Sequence, residues 1–167
     1  MRIIGVISDT HGLLRPEAVA ALEGSELILH AGDVGDLRIL DELGRIAPVH
    51  AVYGNTDGGE VRGRLPRIVE VDLGSEDGKV AGAPAGPLAY VHHGDRELDL
   101  DPAAAGIEMV VSGHTHRPLV EERGGVLYLN PGSAGPRRFT LPATVARVRV
   151  GEAGVLEAEI VELDERI

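Results

Sequence analysis

The sequence predicts an α/β fold with a parallel βαβαβ first half and an antiparallel second half, and three observations lead there. Apolar, β-branched runs alternate with helix-forming stretches as far as Tyr53. Beyond residue 118, extended runs pair up around glycine turns instead. Nothing between these regions is long or polar enough to be a linker, so residues 1–167 are expected to be one domain.

Taken in order, residues 2–8 are an almost continuous β-branched run and read as a buried parallel strand. Leu14 to Leu22 is rich in helix formers, with Pro16 near the expected start. Leu27-Ile28-Leu29 makes a second strand. Asp36 is placed to cap a helix through Leu43 that Gly44 stops. Residues 49–53 form the third strand, which completes a βαβαβ pattern with right-handed crossovers expected. Ile68, Val69, Val71 and Leu73 then mark an extended run that ends at the turn 74–78, and the Gly/Pro/Ala-rich stretch 81–87 reads as a loop. Strands are expected at 88–91 and 107–111, with a short helix within 97–105. Hairpins follow at 118–123 with 126–129, and at 143–150 with 155–162.

Composition excludes several function classes. The chain has no Cys, hence neither disulfides nor thiolate ligands. No apolar stretch approaches the roughly 18 residues of a membrane span. The opening Arg2-Ile3-Ile4-Gly5-Val6-Ile7 does not resemble a signal peptide, so a cytoplasmic location is expected. With 16 Lys and Arg against 27 Asp and Glu, the net charge of −11 repels long nucleic acids. Three Tyr, one Phe and no Trp leave few platforms for stacking bases.

The polar residues of interest sit where strands end: Ser8-Asp9-Thr10-His11-Gly12, His30-Ala31-Gly32-Asp33, Gly54-Asn55-Thr56-Asp57, His92-His93-Gly94-Asp95 and Ser112-Gly113-His114-Thr115-His116. Each of these alone is weak: a lone Asp-x-His after a strand is more often a turn or helix cap than a ligand pair, and only His114-x-His116 is evenly balanced. In open α/β sheets, however, ligands bind beyond the carboxyl ends of the strands, so the five segments are expected to converge on one crevice. Imidazole suits Mn, Fe, Co, Ni or Zn, and carboxylate and amide oxygens admit harder ions. Two divalent ions would outweigh Asp9 and Asp33 by roughly +2, enough local charge to draw a small phosphate ester to an acidic chain. A water between such ions has its pKa lowered toward ~7 and becomes a nucleophile for phosphorus.

These motifs, in this order, resemble the calcineurin-like metallophosphoesterase superfamily, and most closely its small uncapped phosphodiesterases, a branch related to the retromer scaffold subunit. The resemblance spans residues 5–133 and closes on Asn130-Pro131-Gly132-Ser133. It implies a four-layer αββα sandwich with mixed sheets. It also implies a cofactor of two divalent ions (Mn favoured over Ni, Fe, Co or Zn), one held by Asp9, His11, Asp33 and His116. The other would be held by Asp33, Asn55, His93 and His114, with Asp33 as the bridge. Catalysis would act through this centre, notably Asp33, Asn55 and His93. The implied activity is hydrolysis of small phosphodiesters by a metal-bridging hydroxide. The alternatives are a phosphomonoesterase of the same fold and a non-catalytic metal-binding scaffold. One departure concerns chemistry: the protein-phosphatase branch has a proton-donating His after the ligand Asn, where this chain has Thr56.

Other candidates read more modestly. Arg137 and Arg138 follow the Asn-Pro-Gly-Ser turn and are placed to clamp a phosphate oxygen, against a solvated loop as the plain alternative. His92 is expected to point away from His93 along the strand, and His30 to support the site rather than ligate. His50 reads as an ordinary strand residue. Asp57 either orients the Asn55 turn or only stabilises it, and Asp95 either supports His93 or is solvated. Free antiparallel edges would permit a homodimer.

Overall fold

The computed structural model describes residues 1–138 and 140–163; Phe139 and residues 164–167 of the expected domain lie outside them. Strands β1 (Arg2–Ile7), β2 (Leu27–His30) and β3 (Val49–Ala51) pair in parallel, separated by helices α1 (Pro16–Leu22) and α2 (Arg38–Gly44). Pro16 stands at the first turn of α1, where its missing N–H costs nothing. Asp36 is not the N-cap of α2, but its carboxylate accepts the Arg38 N–H at 2.9 Å.

A third helix, α3 (Gly59–Arg64), leads into β4 (Ile68–Asp72), β5 (Leu88–His92) and β6 (Ile107–Val111). Two hairpins complete the chain: β7 (Leu119–Arg123) with β8 (Val126–Asn130), and β9 (Thr144–Val150) with β10 (Leu156–Glu162). Two five-stranded mixed sheets result, ordered β10-β9-β1-β2-β3 and β4-β5-β6-β8-β7. The last hairpin therefore extends the first sheet, β9 lying antiparallel to β1.

Period-two alternation decides what each face meets. Ile4 and Val6 of β1 and Leu27 and Leu29 of β2 turn inward, against Ala89 and Val91 of β5 and Met109 and Val111 of β6. Their neighbours Ile7 and Ile28 face the helices, packing with Ala18 and Leu22 of α1 and Ile39 and Leu43 of α2. Each buried Ile, Val, Leu or Met in these two layers stabilises the fold by roughly 1.5–3 kcal/mol.

The sandwich matches the expected class with two corrections of detail. The second half is not simply antiparallel, because β5, β6 and β8 run parallel, with only β4 and β7 reversed at the edges. Their connections contain no helix among the described residues, so the usual cue to parallel pairing is missing from the sequence. The helix expected within 97–105 is likewise not formed. Leu98 and Leu100 pack instead on Tyr90, Ile107 and Val110, covering the second sheet with irregular chain where a helical layer was expected. Among the described residues no helix is long and apolar enough to cross a membrane.

Candidate metal centre

All the strand-end segments meet at one edge of the sandwich. The loop after β1 is laid on the loop after β2 by Asp9 N–H to Gly32 O (3.0 Å), His11 N–H to Asp33 O (2.9 Å) and Gly12 N–H to Val34 O (2.9 Å). Gly113 N–H donates to His93 O at 2.9 Å, joining the loops after β5 and β6. The Asn130 amide donates to Gly113 O at 2.9 Å and to Thr115 Oγ1 at 3.2 Å, while Ser133 Oγ donates to Asp9 O at 3.0 Å. The Asn-Pro-Gly-Ser turn thus braces two of the site loops.

The backbone there is unusual. Asp9, His11, Asp33, His114 and His116 all have positive φ, between 47° and 71°; among the described residues, Ala153 is the one other non-glycine that does. Side chains in this region cost on the order of 1–3 kcal/mol each, and such residues cluster at functional sites. Glycines make room for the arrangement: a Cβ at Gly113 would run into Ser8 Oγ and Asp9 Oδ2.

Five predicted ligands come together tightly. Asp9 Oδ1 lies 3.3 Å from His116 Nε2, 3.8 Å from His11 Nε2 and 3.9 Å from His93 Nε2. Asp33 Oδ2 lies 3.2 Å from His93 Nε2 and 3.8 Å from His11 Nε2. Two overlapping groups could each hold a metal ion: Asp9 with His11 and His116, and Asp9 with Asp33 and His93. Asn55 and His114 fall in neither group. They are exposed at the rim, where His114 Nδ1 meets Asn55 Oδ1 at 3.1 Å, and the His114 ring lies 5.2 Å from that of His93.

Hydrogen bonding leaves particular atoms bare. Asp9 Oδ2 accepts from Ser8 Oγ (2.6 Å) and the His114 N–H (3.1 Å), whereas Asp9 Oδ1 is buried without a hydrogen-bond partner. His93 Nδ1 donates to Ala31 O at 2.8 Å, so in the neutral ring Nε2 is the lone-pair nitrogen. That Nε2 is also buried and without a hydrogen bond, close to the carboxylates but not aligned with them. A carboxylate oxygen and an imidazole nitrogen left bare 3.9 Å apart suit divalent-metal ligation, with backbone or side-chain partners fixing each ligand from behind.

Electrostatics agree. Burial would lower the His93 pKa, but the Asp33 carboxylate, the Ala31 carbonyl and Asp9 outweigh it and raise the pKa to about 8. Burial would raise Asp33, but His93 and the Thr56 N–H (2.9 Å from Oδ1) hold it well below the usual carboxylate range. Asp9 is lowered against its own burial by His116 and Ser8. His11 is lowered, chiefly by burial.

The supporting residues resolve too. His30 is fully buried, its Nδ1 accepting from the Gly32 N–H (3.2 Å) and its Nε2 meeting Thr10 Oγ1 (3.1 Å); burial lowers its pKa to about 4, so it is a neutral brace. Asp57 does orient the Asn55 turn, accepting N–H groups from Val34 (3.1 Å), Gly35 (2.9 Å) and Gly54 (2.9 Å). His92 turns away from the site, its ring 5.5 Å from Tyr90. His50 does more than the sequence implied, fastening the turn 74–78 through Nε2 to Asp77 O at 2.6 Å. Asp95 is exposed. Arg137 and Arg138 are exposed on the loop after the Asn-Pro-Gly-Ser turn, and the charge of Arg138 contributes to the lowered pKa of His11. Sequence reasoning missed Ser8, whose only signal was adjacency to Asp9.

The calcineurin-like phosphoesterase superfamily domain matches residues 1–153. The chain belongs to this superfamily. A probable metallophosphoesterase of Methanothermobacter thermautotrophicus is 40% identical over 168 residues, covering 95% of this chain and 91% of the relative. A phosphodiesterase of Methanocaldococcus jannaschii is 32% identical over 140 residues, covering 77% of this chain and 82% of that one. Among solved structures, vacuolar protein sorting 29 of Cryptosporidium parvum superposes with a TM-score of 0.72 at 20% identity, covering 98% of each chain, which is a likeness of fold. Calcineurin-like phosphoesterases bind divalent metals, and this member has Asp and His groups that could hold one.

Proposed function

We propose that this metallophosphoesterase is a phosphodiesterase whose centre takes two divalent ions. Asp9, His11, Asp33 and His116 would hold one ion; Asp33, Asn55, His93 and His114 would hold the other. Asp33 is suited to the shared position because its Oδ2 faces both His11 and His93, at 3.8 and 3.2 Å. The observation that carries the reading is that two buried atoms without a hydrogen-bond partner, Asp9 Oδ1 and His93 Nε2, stand 3.9 Å apart, one in each proposed ligand set. When bound, the ions would supply positive charge for the phosphate and lower the pKa of an attacking water.

The chain's own residues prepare that chemistry. The Ala31 carbonyl fixes the His93 tautomer, Ser8 and the His114 N–H fix the Asp9 rotamer, and the Thr56 N–H holds Asp33. The charge of Arg138 is felt at His11, and its guanidinium would offer a cation for a phosphate oxygen. The named phosphodiesterase relative supports a diester substrate over a monoester. Thr56 stands where a proton donor would serve the leaving group, and a neutral hydroxyl serves poorly.

The test is hydrolysis of an aryl phosphodiester and its matching monoester with Mn²⁺, Ni²⁺, Mg²⁺ or Zn²⁺, with chelator, and with Asp33→Ala. Metal-dependent diester cleavage lost in Asp33→Ala is the expected result. A folded protein that cleaves neither ester with any of these metals would overturn the proposal in favour of a scaffold, and preference for the monoester would overturn the substrate class.

A further inference from the structure

We infer that Arg62 is a positioning residue for Asn55, setting the affinity of the second ion from outside the ligand set. The inference rests on the two-ion reading above. Asn55 lies in a tight turn closed by the Asp57 N–H on Gly54 O at 3.2 Å, and its side chain is exposed. An exposed amide on a short turn has little to aim it beyond the His114 contact at 3.1 Å, so the placement of Asn55 depends also on how the turn is gripped. The N–H side is gripped by the Asp57 carboxylate, which takes Gly54 N–H, and by Asp33, which takes Thr56 N–H.

Arg62 grips the carbonyl side. Its Nε donates to Asp57 O at 3.1 Å and its Nη2 reaches Gly54 O at 3.5 Å, the two carbonyls that bracket Asn55-Thr56. The guanidinium lies over the Tyr53 ring at 4.5 Å, which sets its plane and ties it to the residue just before the turn. One side chain of α3 thus contacts the turn before, at its start and at its end. These donors run back to the turn and not along α3 itself. A planar fork suits this task better than a flexible ammonium.

The consequence is selective. Asp9, His11 and His116 come from other segments, and the shared Asp33 meets this turn only through the Thr56 N–H, so loss of Arg62 loosens Asn55 most and disturbs the second ligand set more than the first. Outer partners of metal ligands typically affect affinity by about 10–100-fold. Mn²⁺ binding to wild type, Arg62→Met, Arg62→Lys and Tyr53→Leu would be followed by electron paramagnetic resonance of free Mn²⁺, with thermal unfolding of each metal-free protein as a folding check.

The expected result is a first affinity little changed and a second weakened about tenfold in Arg62→Met, with Arg62→Lys between it and wild type and Tyr53→Leu shifted the same way. Two unchanged affinities in folded Arg62→Met, or equal weakening of both, would overturn the role of Arg62 while leaving the two-ion centre standing. Should Arg62→Met not fold, Arg62→Lys and Tyr53→Leu carry the same decision. A wild-type protein that binds one ion or none would overturn both readings together.

Discussion

Replacing Asp57 by Asn tests whether the site loops are stapled by a buried carboxylate. Its Oδ2 accepts from Val34 N (3.1 Å) and Gly54 N (2.9 Å), and its Oδ1 from Gly35 N (2.9 Å); the residue is 5% exposed. The best rotamer of Asn keeps its oxygen where Oδ2 was and retains two bonds. Its NH₂ then faces the Gly35 N–H, donor against donor, leaving that N–H unsatisfied at about 1–3 kcal/mol. The two retained bonds lose their charge assistance, about 1 kcal/mol each. Release from desolvating an ionised carboxylate offsets part of this. A net loss of about 3 kcal/mol follows. With a urea m-value of about 2 kcal/mol/M, the unfolding midpoint should fall by about 1.5 M. The measurement is urea unfolding in chelator, so that metal binding does not mask the change. A midpoint within about 0.25 M of wild type (about 0.5 kcal/mol) would refute the staple, because three charge-assisted bonds cannot be lost or weakened so cheaply.

Further outcomes are expected. In metal-free protein the His93 pKa is raised from 6.5 to about 8, so this group adds stability fully present below pH 6.5 and lost as pH rises through 8. A divalent ion must displace that proton, so its affinity should rise about tenfold per pH unit up to about 8 and then level; calorimetric titration from pH 6 to 9 that gave a flat profile would contradict the assignment. Gly113→Ala should push a methyl into Ser8 and Asp9 Oδ2, weakening the ion held by Asp9, His11 and His116 by at least about tenfold, and equilibrium dialysis finding wild-type affinity would exclude the clash. Because Thr56 lends no proton, diester cleavage should depend steeply on leaving-group pKa. Thr56→His should accelerate alkyl esters by about 100-fold while leaving good aryl esters little changed, and equal effects on both would count against this reasoning.

Much of the site was legible because its residues stand next to strong strand signals. Apolar runs such as Ile3-Ile4-Gly5-Val6-Ile7 and Leu27-Ile28-Leu29 fix where β1 and β2 end, and Asp9 and Asp33 follow within a few residues. The helix α3 was not legible: Gly59-Glu60-Val61-Arg62-Gly63-Arg64 has two glycines and one apolar residue, and it forms because Val61 buries beside α2 and the turn before it is anchored. The opposite error at 97–105 has a similar cause. Helix formers there meet Pro102, and the alternating Leu98 and Leu100 find partners on the second sheet without helix. Parallel pairing of β5, β6 and β8 is set by tertiary contact, which a strand of five residues does not encode. Residue type announced the left-handed backbone at the ligands only weakly: Asp and His enter it more readily than most side chains, but glycine, its usual marker, is not the residue there.

That strained backbone bears on how the centre binds metal. Asp9, His11 and Asp33 take their positive φ where the loops after β1 and β2 are hydrogen-bonded to each other. The strain and the unpartnered Asp9 Oδ1 and His93 Nε2 are therefore costs carried by the fold before metal arrives. Part of those costs is relieved on coordination, which adds to the affinity in place of the ordering cost a flexible site would incur. The same reasoning explains how an acidic chain of net charge −11 can present an anion-binding surface. Under the proposed two-ion reading, Asp9 and Asp33 at this edge would be offset by the bound metal, so the local field would reverse only on metal binding and substrate affinity would be tied to metal occupancy.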